Sequence, residues 1–284
     1  MSSPPQQNDI RRDDQVVAPG TVNSISRGTG RPALLVHGLA ASLHDWEALL
    51  PELVEAGYAA HAMDLLGHGD SYKPPHLHDY HVNAAFDHMC GWIEALGLRE
   101  PAVLVGHSLG GYLSLQYALR FPERVRALVL VNPLYDQKQL SPFLQTMFRR
   151  ELKNIVLLER APYWLYRMVI DFSSFNFYID QREMHSLPAR VRQHTALDYK
   201  RAAAGIYNLP RTLHDLSADL PRVHQPVLVL WGARDQTLSP ASFPRLVGLL
   251  PDARGEEIPT CGHVPHQCHP EGFNRRVMAF LGGL

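Results

Sequence analysis

The stretch AVLVGHSLGG, residues 102–111, decides the fold of this chain. Its first four residues form a short, continuous apolar run, which is typical of a strand buried on both faces of a parallel sheet. A helix-like pattern follows at residues 112–119. Between the two, Gly106-x-Ser108-x-Gly110 surrounds a serine with small residues, as a strained strand-to-helix turn requires. The sequence therefore predicts a nucleophile elbow that lifts the Ser108 hydroxyl into the open, beside a helix N-terminus that favours negative charge.

Similar apolar runs recur along the chain and alternate with helix-like stretches. The further runs lie at 33–37, 59–64, 127–131 and 227–231. The helix-like stretches lie at 44–56, 79–97, 109–120, 239–250 and 267–282. Alternation of this kind predicts an α/β fold, a doubly wound and mostly parallel sheet with right-handed crossovers.

The alternation stops at residues 133–221, where the sequence is helical in pattern, aromatic and interrupted by prolines. We expect an inserted helical cap there, a core built from 15–132 and 222–284, and a disordered polar tail at 1–14. Two interpretations of the cap's aromatic side chains stay open: they form the cap's own small core, or some of them line an apolar substrate pocket. These side chains are Tyr163, Trp164, Tyr166, Phe172, Phe175, Phe177 and Tyr178.

Composition and charge limit the partners of the chain. It has 284 residues, of which 45% are hydrophobic, and a formal net charge of −1, so there is no electrostatic case for nucleic acid or an anionic membrane. A small-molecule substrate fits better. No apolar run approaches the roughly 20 residues that span a bilayer, and the N-terminus lacks the apolar segment of a secretory signal. Cys90, Cys261 and Cys268 show no framework spacing and are predicted to be reduced, packed thiols. We therefore expect a cytoplasmic protein. The sequence makes no prediction of its oligomeric state.

A serine hydroxyl is a poor nucleophile near neutral pH, so a base and a group that orients the base should follow Ser108 in the chain. On this fold the order is serine, acid, histidine. Asp235 follows the run at 227–231 and would reach the carboxyl edge of the sheet, where catalytic groups gather. The alternative is an Asp that only caps the next helix. Asp219 and Asp252 are less well placed, so the sequence predicts Asp235 as the acid.

The predicted base is His263, which lies after the last strand-like stretch and before the final helix-like one. A loop at that position can place an imidazole over the elbow. His266 and His269 are close rivals. A metal cluster is a further alternative, but it lacks a second ligand pair and would leave Ser108 without a base. Its members would be Cys261, His263, His266, Cys268 and His269.

The transition state of acyl transfer carries negative charge on the carbonyl oxygen, and each backbone N–H that meets it is worth roughly 3–4 kcal/mol. One donor should be the Leu109 amide, directly after the nucleophile. The second should come from the small-residue loop after the run at 33–37, and we expect the Leu39 amide. His37 is predicted to hold this loop by hydrogen bonds rather than to transfer protons.

Five segments, in this order, resemble the α/β-hydrolase superfamily over most of residues 20–132 and 222–282. They are His37-Gly38, Asp64-Leu-Leu-Gly67-His68-Gly69-Asp70-Ser71, the turn around Ser108, Gly232-x-x-Asp235 and Gly262-His263. The resemblance implies an esterase- or lipase-like serine hydrolase with a helical cap and a structural turn at Gly67-x-Gly69-x-Ser71. It also implies the same triad and backbone donors: Ser108, His263, Asp235, Leu39 and Leu109.

The resemblance also disfavours some activities. Haloalkane dehalogenases and epoxide hydrolases carry Asp where this chain has Ser108. Proline iminopeptidases show His-Gly-Gly-Pro-Gly in the loop that here reads His37-Gly-Leu-Ala-Ala41. Dehalogenation, epoxide opening and peptide hydrolysis are therefore not expected.

The reaction expected is hydrolysis of a carboxylic ester of a lipophilic small molecule through an acyl-enzyme, with no cofactor and no metal. A second hypothesis keeps the same residues but cleaves a carbon–carbon bond of a diketone-type ring-cleavage product, or adds a cofactor-free haloperoxidase side activity. A third, from a different class, is a receptor-like or scaffold-like chain that binds a small ligand without turnover. The complete triad argues against the third hypothesis.

Overall fold

The computed structural model describes residues 11–17, 20–149, 159–174 and 187–284, and its centre is one eight-stranded sheet. The strands are β1 (Arg11–Val17), β2 (Gly20–Arg27), β3 (Arg31–Val36), β4 (Tyr58–Met63), β5 (Ala102–His107), β6 (Val125–Val131), β7 (Val227–Gly232) and β8 (Ala253–Ile258). Their order in the sheet is β1-β2-β4-β3-β5-β6-β7-β8. The β1–β2 and β2–β4 pairs are antiparallel, and the other pairs are parallel. The predicted α/β fold class is thus confirmed.

Helices connect the strands in the expected alternation. The helices of the described residues are α1 (Leu50–Glu55), α2 (Val82–Ala95), α3 (Leu109–Arg120), α4 (Pro142–Arg149), α5 (Tyr163–Ser174), α6 (Ala189–Arg201), α7 (Ser242–Leu249), α8 (Pro265–Cys268) and α9 (Pro270–Leu281). Short 3-10 turns lie at Leu43–Trp46, Leu77–Asp79, Pro122–Arg124, Gln137–Gln139, Ala204–Thr212 and Leu220–Arg222.

The side chains of the parallel strands pack in two separate hydrophobic cores, one on each face of the sheet. In β3, Leu34 packs in the core that α2, α3 and α7 cover, whereas Leu35 packs in the core that α1 and α9 cover. In β5, Leu104 packs in the same core as Leu34, and Val103 packs in the same core as Leu35. Burial on both faces explains why these strands read as continuous apolar runs rather than alternating ones.

The strands β1 and β2 were not predicted, because neither contains a continuous apolar run. In β2 the buried residues are Val22, Ser24 and Ile25. The expected tail at residues 1–14 was also wrong at its C-terminal end. Residues 11–14 belong to β1 and pair with residues 23–26 of β2.

The described part of residues 133–221, the cap segment, is helical and rests on the carboxyl edge of the sheet. Hydrogen bonds join it to the core: the Ala203 amide donates to the Gly67 carbonyl at 2.9 Å, and the His214 amide donates to the Tyr112 hydroxyl at 3.1 Å. The Val82 amide at the start of α2 donates to Thr212 Oγ1 at 2.9 Å. The segment is therefore tied to the core on several sides.

The aromatic side chains of the cap segment do not share one environment. Trp164 on α5 is 64% exposed, so it fits neither a cap core nor a buried pocket. Tyr163 and Tyr166 are half-buried. Phe175, Phe177, Tyr178 and the side chain of Phe172 lie outside the described residues. The choice between the two interpretations of this aromatic group stays a prediction.

The prediction that all three cysteines are reduced thiols is wrong for two of them. Cys261 and Cys268 are joined in a disulfide, with their Cα atoms 6.5 Å apart, and Cys90 is free. The cysteines therefore no longer support the expectation of a cytoplasmic location. Within the described ranges, no helix is both long and apolar enough to cross a bilayer.

Candidate active site

The elbow at the end of β5 has the strained backbone that its sequence predicts. Ser108 has φ 50° and ψ −110°, a positive φ that non-glycine residues rarely adopt. A Cβ atom on Gly106 would lie 2.5 Å from the Gly110 carbonyl oxygen, and one on Gly110 would meet the Val36 carbonyl oxygen. These glycines therefore let β3, β5 and α3 approach closely. Ser108 is only 5% exposed, so it does not stand in the open as expected.

The Asp235 carboxylate is buried after β7 and accepts hydrogen bonds at both oxygens. Oδ1 accepts from the Thr237 and Leu238 amides at 2.8 and 3.0 Å. Oδ2 accepts from Asn132 Nδ2 at 2.7 Å and lies 2.7 Å from His263 Nδ1. Burial alone would raise the pKa of Asp235, but His263 and these hydrogen bonds hold the pKa below its ordinary value. The carboxylate is thus held ionised and fixed.

His263 lies on the loop between β8 and α8, and this loop is anchored to the loop that carries Asp235. The Arg234 amide donates to the Cys261 carbonyl at 3.0 Å. Gly232 packs against the Cys261 and Gly262 carbonyl oxygens, where a Cβ atom has no room. With Nδ1 of His263 facing Asp235, Nε2 is the nitrogen left for another partner.

Two contacts link the elbow to the Asp235–His263 pair. The Ser108 amide donates to the Val131 carbonyl at 2.9 Å, and the next residue, Asn132, holds Asp235. On the other side, His107 Nε2 lies 2.9 Å from the His263 carbonyl oxygen, and the two rings are 4.9 Å apart. The structure thus brings Asp235 and His263 into direct contact and places Ser108 at the same strand edge.

The loop after β3 passes close to the elbow. A Cβ atom on Gly38 would lie 3.3 Å from Ser108 Cβ. Within residues 20–149, no acceptor is recorded for the Leu39 or Leu109 amide. The assignment of both amides to an oxyanion site stays a prediction.

Two buried histidines hold this loop, as expected for His37. The Leu65 amide donates to His37 Nε2 at 2.9 Å, and His37 Nδ1 lies 2.7 Å from the Gly38 carbonyl. The Ala40 amide, at a residue with φ 57°, donates to His68 Nε2 at 3.0 Å. Burial, with His37 nearby, holds the pKa of His68 well below its ordinary value. Both rings therefore support the loop through hydrogen bonds.

The rivals named from the sequence lie elsewhere. Asp219 is half exposed and pairs with Arg222 at 3.0 Å. His266 is buried on α8, away from Asp235, beside Asp45 and His107. Because Cys261 and Cys268 are joined to each other, neither offers a thiolate to the metal cluster considered above.

Sequence reasoning missed Asn132 and Asp45. Asn132 carries no charge and is therefore no candidate for the acid, yet its amide fixes the Asp235 carboxylate. The signal in the sequence is the residue type directly after β6, since Asn adopts a positive φ, here 41°, more readily than most residues. Asp45 gave no local signal, because its partner Gln267 is 222 positions away.

Among the described residues, two groups have ligand atoms close enough to hold a metal ion. One is the half-exposed set His44, Glu47 and His194; the other is the buried set Asp45, His107 and His266. Burial would raise the pKa of Asp45, but His107 and His266 hold the pKa below its ordinary value. Burial lowers the pKa of His107 to about 4 against the opposing effect of Asp45.

Taken together, the strand ends hold a serine on a strained turn, an imidazole fixed by a buried carboxylate, and two amides with no acceptor within residues 20–149. Such an arrangement can deprotonate a hydroxyl and stabilise an oxyanion, the two requirements of acyl transfer.

Comparisons with known proteins show which family the chain is similar to. The family model for the alpha/beta hydrolase fold matches residues 32–270. A 2-hydroxy-6-oxo-2,4-heptadienoate hydrolase of Pseudomonas putida is 29% identical over 89% of this chain and 90% of its own length. Lipase 3 of a Moraxella species is 27% identical over 90% of this chain and 79% of its own. The crystal structure of a putative aryl esterase from Burkholderia cenocepacia superposes with a TM-score of 0.75 at 24% identity, over 95% of this chain and 98% of that one.

Proposed function

Since this chain belongs to the alpha/beta hydrolase fold family, we propose that it is a serine hydrolase that cleaves carboxylic esters of lipophilic small molecules through an acyl-enzyme. The observation that carries the proposal is the 2.7 Å contact between Asp235 Oδ2 and His263 Nδ1 beside the elbow. A buried carboxylate in this position fixes one imidazole tautomer and stabilises the charged ring.

In the proposed first step, His263 Nε2 takes the hydroxyl proton of Ser108 as Oγ attacks the ester carbonyl carbon. The same nitrogen then protonates the departing alcohol oxygen, which leaves an ester between Ser108 and the acyl group. In the second step His263 removes a proton from water, the resulting hydroxide attacks the acyl carbon, and Ser108 recovers its proton. Asp235 keeps its negative charge throughout.

The oxyanion of each tetrahedral intermediate would be bound by the Leu39 and Leu109 amides. Support comes from the close approach of Gly38 to Ser108 and from the lack of a recorded acceptor for either amide in residues 20–149. Because the amides are held by the β3 loop and by α3, they need no reorganisation as charge develops.

Carbon–carbon bond hydrolysis is the second candidate, and a specific observation favours it. The Pseudomonas putida relative, a heptadienoate hydrolase, aligns with 89% of this chain. The same serine, histidine and aspartate would serve, with a carbanion rather than an alkoxide as the leaving group.

The test compares two substrate types on the same purified chain. A p-nitrophenyl ester series from acetate to decanoate is assayed beside a chromophoric 2-hydroxy-6-oxo-dienoate, with Ser108→Ala as the control. Ester kcat/KM that exceeds dienoate kcat/KM at least tenfold, and that Ser108→Ala abolishes, supports ester hydrolysis. Turnover of the dienoate alone would replace it with the second candidate, and ester turnover that survives Ser108→Ala would overturn the triad.

A further inference from the structure

Three buried side chains meet on the far side of the segment that carries His263. Asp45 lies on the 3-10 turn Leu43–Trp46, His107 lies next to Ser108 in the elbow, and His266 lies on α8. They are 7%, 4% and 2% exposed. Asp45 Oδ2 stands 3.7 Å from His107 Nδ1 and 3.7 Å from His266 Nε2.

The polar atoms that face each other in this cluster have no hydrogen-bond partners. Asp45 Oδ2, His107 Nδ1 and both ring nitrogens of His266 are buried and unpaired. An unpaired buried polar group costs free energy, so four in one place require an explanation. The His263 carbonyl can only accept, so His107 Nε2 is the donor of that contact and Nδ1 is the nitrogen that faces the Asp45 carboxylate. A cation between Nδ1 and the carboxylate oxygen would be bound by both.

The outer contacts of the cluster are those that metal-binding side chains use. A metal-bound histidine commonly donates its other N–H to a backbone carbonyl, and a metal-bound carboxylate accepts a further hydrogen bond. His107 Nε2 lies 2.9 Å from the His263 carbonyl oxygen, and Asp45 Oδ1 accepts from Gln267 Nε2 at 2.5 Å. The His266 ring stacks on Trp46 with centroids 4.9 Å apart, which fixes its plane.

We infer that Asp45, His107 and His266 form a binding site for a zinc ion. Zinc binds His nitrogen and Asp oxygen at about 2.0–2.2 Å, and two ligands of a tetrahedral zinc stand about 3.4 Å apart. The two separations from Asp45, 3.7 Å each, require a contraction of a few tenths of an ångström, and all three ligand atoms lie within 4.8 Å of one another. Three protein ligands leave the fourth position of the ion to water.

An ion can reach the site from a cavity of about 150 Å³ between the Leu43–Trp46 turn and α6, lined by Asp45 and His266 among others. Across the same cavity stands the second group, His44, Glu47 and His194. That group is half-exposed and its polar atoms already contact one another, with His44 Nδ1 3.0 Å from Glu47 Oε1. It therefore lacks the unpaired buried atoms that mark the inner cluster.

The ion would tie together three segments that are distant in the chain: the turn that holds Asp45, the elbow, and the segment 261–268. It would thereby fix the backbone of His263 through His107. This last consequence rests on the function proposed above, whereas zinc binding does not.

The experiment measures zinc binding in the full chain carrying Ser108→Ala, so that its outcome does not depend on turnover. The purified protein is stripped with a chelator and titrated with Zn²⁺ in competition with a chromophoric chelator. The expected result is one zinc per chain and a rise in Tm on zinc addition, because the ion binds the folded state. Co²⁺ should give the visible absorption of a four-coordinate ion without a thiolate charge-transfer band, since no cysteine belongs to the set.

Two variants locate the ion. His266→Phe keeps a ring against Trp46 but removes a ligand, and zinc affinity should fall at least about 100-fold. His194→Ala, in the outer group, should leave affinity and the Tm rise unchanged. If His266→Phe does not fold, Asp45→Asn replaces it. This variant removes a charged ligand of the inner site but retains the shape of the side chain, and its zinc affinity is measured in the same way. No zinc binding by the parent chain, or binding lost in His194→Ala and kept in His266→Phe or Asp45→Asn, would overturn the inference.

Discussion

Two buried carboxylate–imidazole groups adjoin the segment 261–268, and they differ in how completely their polar atoms are paired. Asp235 accepts hydrogen bonds at both oxygens and touches His263 at 2.7 Å. Asp45 accepts at one oxygen, and its other oxygen stands 3.7 Å from both His107 and His266.

This difference in hydrogen-bond pairing determines what each group can do. A carboxylate whose oxygens are fully paired holds one imidazole in one tautomer, which suits a ring that must accept and return a proton. A carboxylate that faces two unpaired imidazole nitrogens across a gap leaves room for a further positive group. The same residue types therefore suit the proposed proton transfer in one place and the proposed ion binding in the other.

The largest effect expected is that of Ser108→Ala. Loss of the nucleophile should lower ester kcat about 10⁴- to 10⁶-fold, with residual turnover from the oxyanion amides alone. Stopped-time ester assays on the purified variant measure it, with circular dichroism as the control for folding. A loss below tenfold would mean that the Asp235–His263 pair serves a different nucleophile.

The next effect separates the two carboxylates directly. Asp235→Asn should lower kcat about 10⁴-fold, because an amide favours the wrong tautomer of His263. Asp45→Asn in metal-free protein should lower kcat less than tenfold, because Asp45 touches His107 and His266 rather than His263. Parallel kcat measurements on both variants check this. Equal losses would remove the functional distinction between the two groups.

Asn132→Gly tests the pairing of Asp235. Glycine accepts the φ of 41° at this position without strain. The variant loses the hydrogen bond to Asp235 Oδ2 and the longer one, at 3.3 Å, that Asn132 Oδ1 accepts from the Gly232 amide. Hydrogen bonds to charged groups contribute about 1.5–3 kcal/mol, so kcat should fall about 10- to 100-fold. An unchanged kcat with an unchanged KM would show that the remaining hydrogen bonds suffice.

The smallest effect concerns Asp198 on α6, a third buried carboxyl group, which lines the cavity beside Asp45. Burial, reinforced by the charge of Asp45, raises the pKa of Asp198 to about 8. An unfolded Asp loses its proton near pH 4, so between about pH 4 and 8 the folded state holds one more proton than the unfolded state. The free energy of unfolding should therefore fall as pH rises through that range and level off above it.

Asp198→Asn should remove this dependence. In metal-free protein the variant should be more stable than the wild type above pH 8, by about 1 kcal/mol or more, with a smaller gain at pH 5. Urea unfolding at the two pH values measures the difference. The same gain at both values would contradict a protonated Asp198 in the folded state.

Much of the fold and of the candidate site could be predicted because the signals are local. Strands buried on both faces read as apolar runs, and Ser108, Asp235 and His263 each follow such a run or the last strand. The strained elbow could be predicted from Gly106 and Gly110 in the sequence, since only glycine fits at these two positions.

What escaped prediction depends on contacts between distant segments or on weak patterns. β1 and β2 pair along an antiparallel edge with few buried apolar residues. The pairing of Cys261 with Cys268 has no signal in their spacing alone. The Asp45 cluster joins residues from three parts of the chain, which a linear pattern does not bring together.

The most direct test of the proposed mechanism is labelling with a fluorophosphonate probe followed by peptide mapping. The account predicts one adduct per chain, on the peptide that contains Ser108, formed quickly by the wild type, much more slowly by Asp235→Asn, and not at all by Ser108→Ala. An adduct on another residue, or a wild type that hydrolyses esters without any adduct, would contradict it.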